Sequence, residues 1–129
     1  MAQPNEQIKA LNRSAGALKS SFTRAAEHLD QAATLYADNP SKLRRAQIED
    51  ELKKLDRKAE KVTEVYILVC NLDDDENRVK GYNKTACRYD VTYRKTVERV
   101  MGAVDDVERH ERRDAEAAAA AAAAVMPQR

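Results

Sequence analysis

Ile8, Leu11, Ala15, Leu18, Phe22, Ala25, Leu29, Ala32 and Tyr36 follow one another at alternating spacings of three and four residues, without a slip. That period of about 3.5 residues is the seam of a helix that packs along its length against another helix. A second ladder, Ile48, Leu52, Leu55, Ala59, Val62, Tyr66 and Val69, has the same rhythm. A third apolar face runs through Tyr82, Ala86, Tyr89, Tyr93, Val97, Val100, Val104 and Val107. Three such faces in 129 residues constrain the chain to a few long helices sharing a thin apolar seam.

Composition agrees with that reading. Charged residues make up 35% of the chain and aromatic residues 5%, with no Trp and a single Phe, so no thick core can be assembled. Three Gly and three Pro provide little material for turns, which argues against a sheet fold.

The breaks between ladders are short. Asp38-Asn39-Pro40-Ser41 ends the first helix, because Pro40 biases Asn39 away from the α region and cannot continue the helical hydrogen bonding. Ser41 or Asn39 supplies the next N-cap. Asn71 to Glu76 forms the second break, in which Asp73 followed by Glu76 has the spacing of a capping box at the positive end of a helix dipole. The pattern predicts helices over about 5–37, 42–72 and 74–112, in one domain spanning 1–112. Residues 113–129 form an Ala-rich helical extension and tail, since the eight alanines Ala117 to Ala124 have the highest helix propensity and bury little. Short connections make consecutive helices antiparallel neighbours. The expected fold is all-α, an elongated antiparallel three-helix coiled-coil bundle with the third helix overhanging the other two. Gly81 and Gly102 interrupt that helix, and Gly81 is a candidate kink or a later end of the second connection.

The charge balance, 23 basic against 22 acidic side chains, sets up no global field toward nucleic acid or anionic lipid. The narrow, Ala-, Val- and Tyr-rich seams with mixed-sign outer faces do not suit a membrane surface, and the longest strongly apolar run, Val65 to Cys70, is far too short to span one. The N-terminus has no secretory pattern. Cys70 and Cys87 are too few for a disulfide framework and read as reduced thiols, so the expected location is intracellular and cytoplasmic. With the second turn at Asp73, the two cysteines fall well apart along their helices.

No constellation for catalysis, cofactor or metal emerges. His28 and His110 lie on different helices without partners at ligand spacing. Phosphate-cradling glycine loops and nucleophile motifs are missing, and the acidic run Asp73 to Glu76 lacks the twelve-residue ligand spread of a calcium loop. The expectation is a non-enzymatic protein with no small-molecule ligand. One local patch stands out. Arg78, Lys80, Lys84, Arg88, Arg94, Lys95 and Arg99 face only Asp90 and Glu98 in the same stretch, with Tyr82, Tyr89 and Tyr93 interleaved. Basic residues with aromatics can track a phosphate backbone and stack bases, which makes these seven the candidate contacts to RNA or single-stranded DNA. The tyrosines share one helical face, so they also read as core residues with their hydroxyls reaching outward.

Leu11-Asn12-Arg13, Ala17-Leu18-Lys19-Ser20-Ser21-Phe22-Thr23-Arg24, the Leu43–Cys70 amphipathic stretch, the acidic Asp73–Glu76 turn and Arg88-Tyr89-Asp90-Val91-Thr92-Tyr93 occur in that order. Over residues 10–100 this resembles the gag-like segment near the start of BEL/Pao long-terminal-repeat retrotransposon polyproteins, where a helical region precedes capsid, zinc-knuckle and protease parts. The chain departs from such polyproteins in having no Cys-x-x-Cys-x-His knuckle, no Asp-Thr/Ser-Gly motif and a more basic third helix. The resemblance implies a detached or truncated gag-like segment with a particle-assembly or polyprotein-interaction role. It carries over no catalytic residue. The three ladders point to a partner that is another helical protein or the chain itself.

Overall fold

The computed structural model describes residues 4–125. Three helices account for all of them except 39–41 and 73–75: α1 (Pro4–Asp38), α2 (Lys42–Leu72) and α3 (Glu76–Val125). The chain is an all-α three-helix bundle in which every pair of helices is in contact. At 1.5 Å per residue, α3 is about 75 Å long, against roughly 50 Å for each of the other two.

The seam forms where the ladders predict it, with one change of phase. Phe22, Ala25, Leu29 and Tyr36 of α1 are buried, but between the last two it is Ala33, not Ala32, that is enclosed; Ala32 is only half-buried. The steps from Leu29 to Tyr36 are four then three instead of three then four, over the same seven residues, so the enclosed position moves by one residue within an unchanged heptad. In α2, Ile48, Leu55, Val62 and Val69 recur every seven residues and are the most enclosed side chains of that helix. Val65 joins Tyr66 in the core although it lies outside the ladder. In α3 the fully enclosed apolar residues are Val100 and Val104; the tyrosines, Ala86, Val97 and Val107 pack at the margin. Thr96 is also buried, its hydroxyl donating to the Thr92 carbonyl at 2.8 Å.

Both connections are fixed by caps. Ser41 is the N-cap of α2, its Oγ accepting from the Arg44 N–H at 3.1 Å. At the second connection the capping residue is Asp75, not Asp73. Asp75 Oδ1 accepts from the Asn77 and Arg78 N–H groups, both at 3.0 Å, and α3 starts at Glu76 instead of near Asp74. Asp73 cannot serve there because its carboxylate points inward to other partners.

Gly81 and Gly102 lie inside α3, which continues through both, so neither marks the end of the connection. A Cβ at either position meets nothing within 4 Å. The double substitution Gly81→Ala/Gly102→Ala is therefore expected to stabilise the fold by about 1 to 2 kcal/mol, through helix propensity and a less flexible unfolded chain. Thermal melts followed by circular dichroism should show a rise of roughly 5 °C. An unchanged or lowered midpoint contradicts an uninterrupted helix through these positions.

α3 does not break at residue 112. The division expected there is a change in burial only: every residue from Arg109 to Val125 is exposed. Of the Ala-rich extension, residues 126–129 lie outside the described part of the chain. Among the described residues no helix is long and apolar enough to cross a membrane.

Candidate functional surfaces

The α2–α3 turn is built around Asp73. Its side chain is almost fully buried and accepts from Arg78 Nε at 2.8 Å, Arg78 Nη2 at 2.9 Å, the Tyr82 hydroxyl at 3.0 Å and the Asp75 N–H at 3.0 Å. Its own N–H donates to the Val69 carbonyl at 2.9 Å and closes α2. The Arg78 guanidinium, followed by the Asp75 N–H and the Tyr82 hydroxyl, holds the Asp73 carboxyl well below the usual carboxylate range despite the opposing effect of burial. This cluster joins the end of one helix to the first turns of the next, so its chemistry is structural.

Arg78, the first of the seven basic residues singled out by sequence, is thus turned into the turn. Two others are committed to carboxylates as well. Arg94 pairs with Asp90 at 3.1 Å on the same helix. Arg99 Nη2 donates to both oxygens of Asp30 on α1, each at 2.8 Å. Lys80, Lys84, Arg88 and Lys95 are exposed and, among the described residues, have no carboxylate at ion-pair distance. They follow one another at i, i+4, i+8 and i+15, along one side of α3 over about 22 Å.

The interleaved tyrosines do not share that side. Tyr89 stands edge-on to Phe22 of α1, with ring centroids 5.3 Å apart at 77°. Tyr82 lies against Tyr66 of α2 at 6.2 Å. The Tyr93 hydroxyl donates to Asp56 of α2 at 2.8 Å. Burial, then that hydrogen bond and the neighbouring Asp56, Glu60 and Asp90 charges, pushes the Tyr93 phenol up to about 12. All three rings tie α3 to its neighbours, on the side of the helix away from the basic residues.

The remaining clusters are also accounted for. Arg45 of α2 reaches Glu108 of α3 at 3.3 Å and Glu49 at 3.6 Å near the α1–α2 connection. Tyr36 lies in the same region, its phenol raised first by burial and then by Glu108 and Glu111. Cys70 and Cys87 are free thiols; Cys70 Sγ donates to Asn83 Oδ1 at 3.6 Å, one turn of α3 before the exposed Cys87. His110 is exposed on α3.

One surface was not apparent from the sequence. α1 and α2 leave between them an open groove of about 480 Å³. Arg24 and His28 line it from α1, and Lys54, Arg57, Lys58 and Lys61 from α2. Glu51 is the single carboxylate in its wall, 3.4 Å from Lys54 Nζ. The basic residues of α2 follow a helical spacing of three, one and three, which places them beside the apolar ladder on the flank facing α1. A ladder of that kind is visible in the sequence; that Arg24 and His28 face it is a product of the antiparallel pairing.

Comparison with protein-family models, with curated proteins and with solved structures finds no match to this chain.

Proposed function

We propose that this chain is a non-enzymatic helical interaction module, a gag-like structural segment of a retroelement whose role is assembly with a further helical chain, a copy of itself in the first instance. The observation that carries the reading is the division of labour along α3. Its first two-thirds close the bundle, and the stretch from Arg109 to Val125 stands exposed on all sides. A solvent-surrounded stretch of that length gains nothing from tertiary packing, which leaves its whole surface available to a second helix. The exposed aliphatic residues Leu35, Leu43, Ile67, Leu68 and Val91 add apolar area outside the seam. The retroelement origin is supported by the ordered similarity across residues 10–100 described above.

Light scattering over a concentration series tests the assembly role. The expected weight-average mass rises above the 14.5 kDa of one chain and falls back when residues 112–129 are deleted. A 14.5 kDa species at every concentration, together with no helical partner captured by cross-linking, overturns it. Protease, reverse transcriptase or integrase reading frames flanking the coding sequence are the expected genomic context; an unrelated context contradicts the retroelement origin.

A further inference from the structure

We propose that the α1–α2 groove binds a chain of linked phosphates, most simply the backbone of a single-stranded nucleic acid, with Arg24, Lys54, Arg57, Lys58 and Lys61 as the phosphate contacts. This goes beyond the assembly reading and does not depend on it.

Three observations lead to phosphate. The first is charge: five basic side chains line the groove against one carboxylate, in a protein whose overall charge is only +1. Glu51 is already opposite Lys54. Among the described residues Arg24, Arg57, Lys58 and Lys61 have no carboxylate within ion-pair distance. Four like charges along one cleft set up a local positive potential that favours an anion there. Two of the four are arginines, whose planar fork suits phosphate oxygens.

The second observation is shape. The cations line a furrow between two packed helices, whose axes lie about 8–10 Å apart. The groove is open along its length, so a flexible single strand can lay its phosphates along the cations, which a stiff duplex cannot follow as closely. Lys54 to Lys61 is seven residues of helix, or about 10 Å. At 3.4 Å of rise per nucleotide along a strand, this length covers about three phosphates.

The third is the lining. An acidic amphipathic helix docking here needs apolar pockets for its anchor residues. The wall offers Ala25 and the stems of the basic side chains, with the Ser21 hydroxyl as a further donor. A phosphate chain requires only the donors. The groove also has an advantage over the Lys80–Lys95 side of α3. There four cations are strung along the outer surface of one helix, whereas in the groove they converge from two.

Fluorescence anisotropy with a labelled 12-nucleotide oligo-U, followed from 50 to 300 mM salt, tests the proposal. With three phosphates contacted, the slope of log K against log salt is expected to be about −2 for a single strand. Arg57→Gln/Lys61→Gln removes two exposed cations and is expected to weaken binding about tenfold or more at 50 mM salt and to halve the slope. Lys84→Gln/Lys95→Gln on α3 is expected to change neither, and circular dichroism confirms that both variants retain their helix. Oligo-dT and inorganic polyphosphate separate the sources of the phosphates: binding of the oligonucleotides identifies a nucleic-acid backbone, and binding of polyphosphate alone identifies that polymer as the ligand. The proposal is overturned if no phosphate polymer binds at 50 mM salt, or if the groove variant binds like the parent. Equal loss in the α3 variant, or polyglutamate binding as tightly as the phosphate polymers, overturns it too.

Discussion

Leu29→Ala is expected to lower the unfolding free energy by about 3 to 4 kcal/mol, the largest effect of any single apolar truncation in α1 apart from Phe22. Leu29 is completely enclosed and sits in the middle of the seam, where α1 meets both other helices. Truncation removes the transfer free energy of three carbon atoms and leaves a void that two long neighbouring helices cannot easily collapse around. Leu55→Ala, at the equally enclosed position of α2, should behave in the same way. Leu43→Ala is the matched control: Leu43 is 71% exposed and should cost less than about 0.5 kcal/mol. Urea unfolding followed by helical ellipticity checks all three. Should the alanine variants fail to fold, Ile48→Val at another fully enclosed site is expected to cost about 1 kcal/mol and remains measurable. Similar losses at Leu29 and Leu43 contradict a seam in which α1 is packed within its own chain.

Asp73→Asn is expected to lower the melting midpoint by roughly 5–10 °C at neutral pH. It should also flatten the acid limb of the stability profile. The sign follows from linkage. Arg78, the Asp75 N–H and Tyr82 keep the folded-state pKa of Asp73 depressed, while the unfolded chain restores it to about 3.9. Between those values the unfolded state binds more protons than the native state, so stability falls as the pH falls. The contribution is fully present above about pH 5, declines as the unfolded-state pKa is passed, and is exhausted once the pH drops below the folded-state value. The neutral amide retains some of the hydrogen bonding and loses the charge, so the variant should be less stable at pH 7 and lose less between pH 5 and pH 2. Thermal melts across that range measure both effects. Parallel acid limbs in parent and variant contradict the assignment of Asp73 as the ionised hub of the turn. Arg78 is the partner to test alongside it: Arg78→Gln should reproduce much of the lost pH dependence, since it supplies the largest share of the depression.

The two turns show how far pattern reasoning reaches in this chain. Pro40 and Ser41 form a signal with one interpretation, because proline ends a helix sterically and the serine hydroxyl is placed to cap the next. At Asp73-Asp74-Asp75 three carboxylates compete for one capping position, and spacing to Glu76 favours the wrong one. What decides is tertiary: Asp73 lies where Arg78 and Tyr82 can enclose it, which leaves Asp75 to cap α3. The core divides in a similar way. Phe22, Leu29, Leu55 and Val62 are legible because a heptad pattern survives small errors of phase. Ala33, Val65 and Thr96 are not, since each depends on where a straight helix drifts relative to its neighbours.

The charged surface was the least legible part. Arg78 and Arg99 are indistinguishable by composition from Lys84 or Arg88, yet each meets a carboxylate outside its own helix once the helices are in place; only the Arg94–Asp90 pair, at i,i+4, is local. Asp30 lies 69 positions before Arg99, a separation that no local pattern connects. The α1–α2 groove shows the converse: Arg24 and His28 are ordinary surface residues until antiparallel pairing sets them opposite Arg57 and Lys61. In a protein with 45 charged side chains, pairing and convergence belong to the fold and not to the sequence window.

Hydrogen exchange of the full chain, measured at two widely separated protein concentrations, separates a seam filled within the chain from one filled by a partner. The amides from Phe22 to Ala33 are expected to be strongly protected at both, because the α1 seam is filled by α2 and α3 of the same chain. Arg112 to Val125 are expected to exchange rapidly in dilute solution and to slow down as concentration rises and the projecting helix finds a partner. Loss of α1 protection on dilution, or a tail whose exchange is the same at both concentrations, would contradict that arrangement.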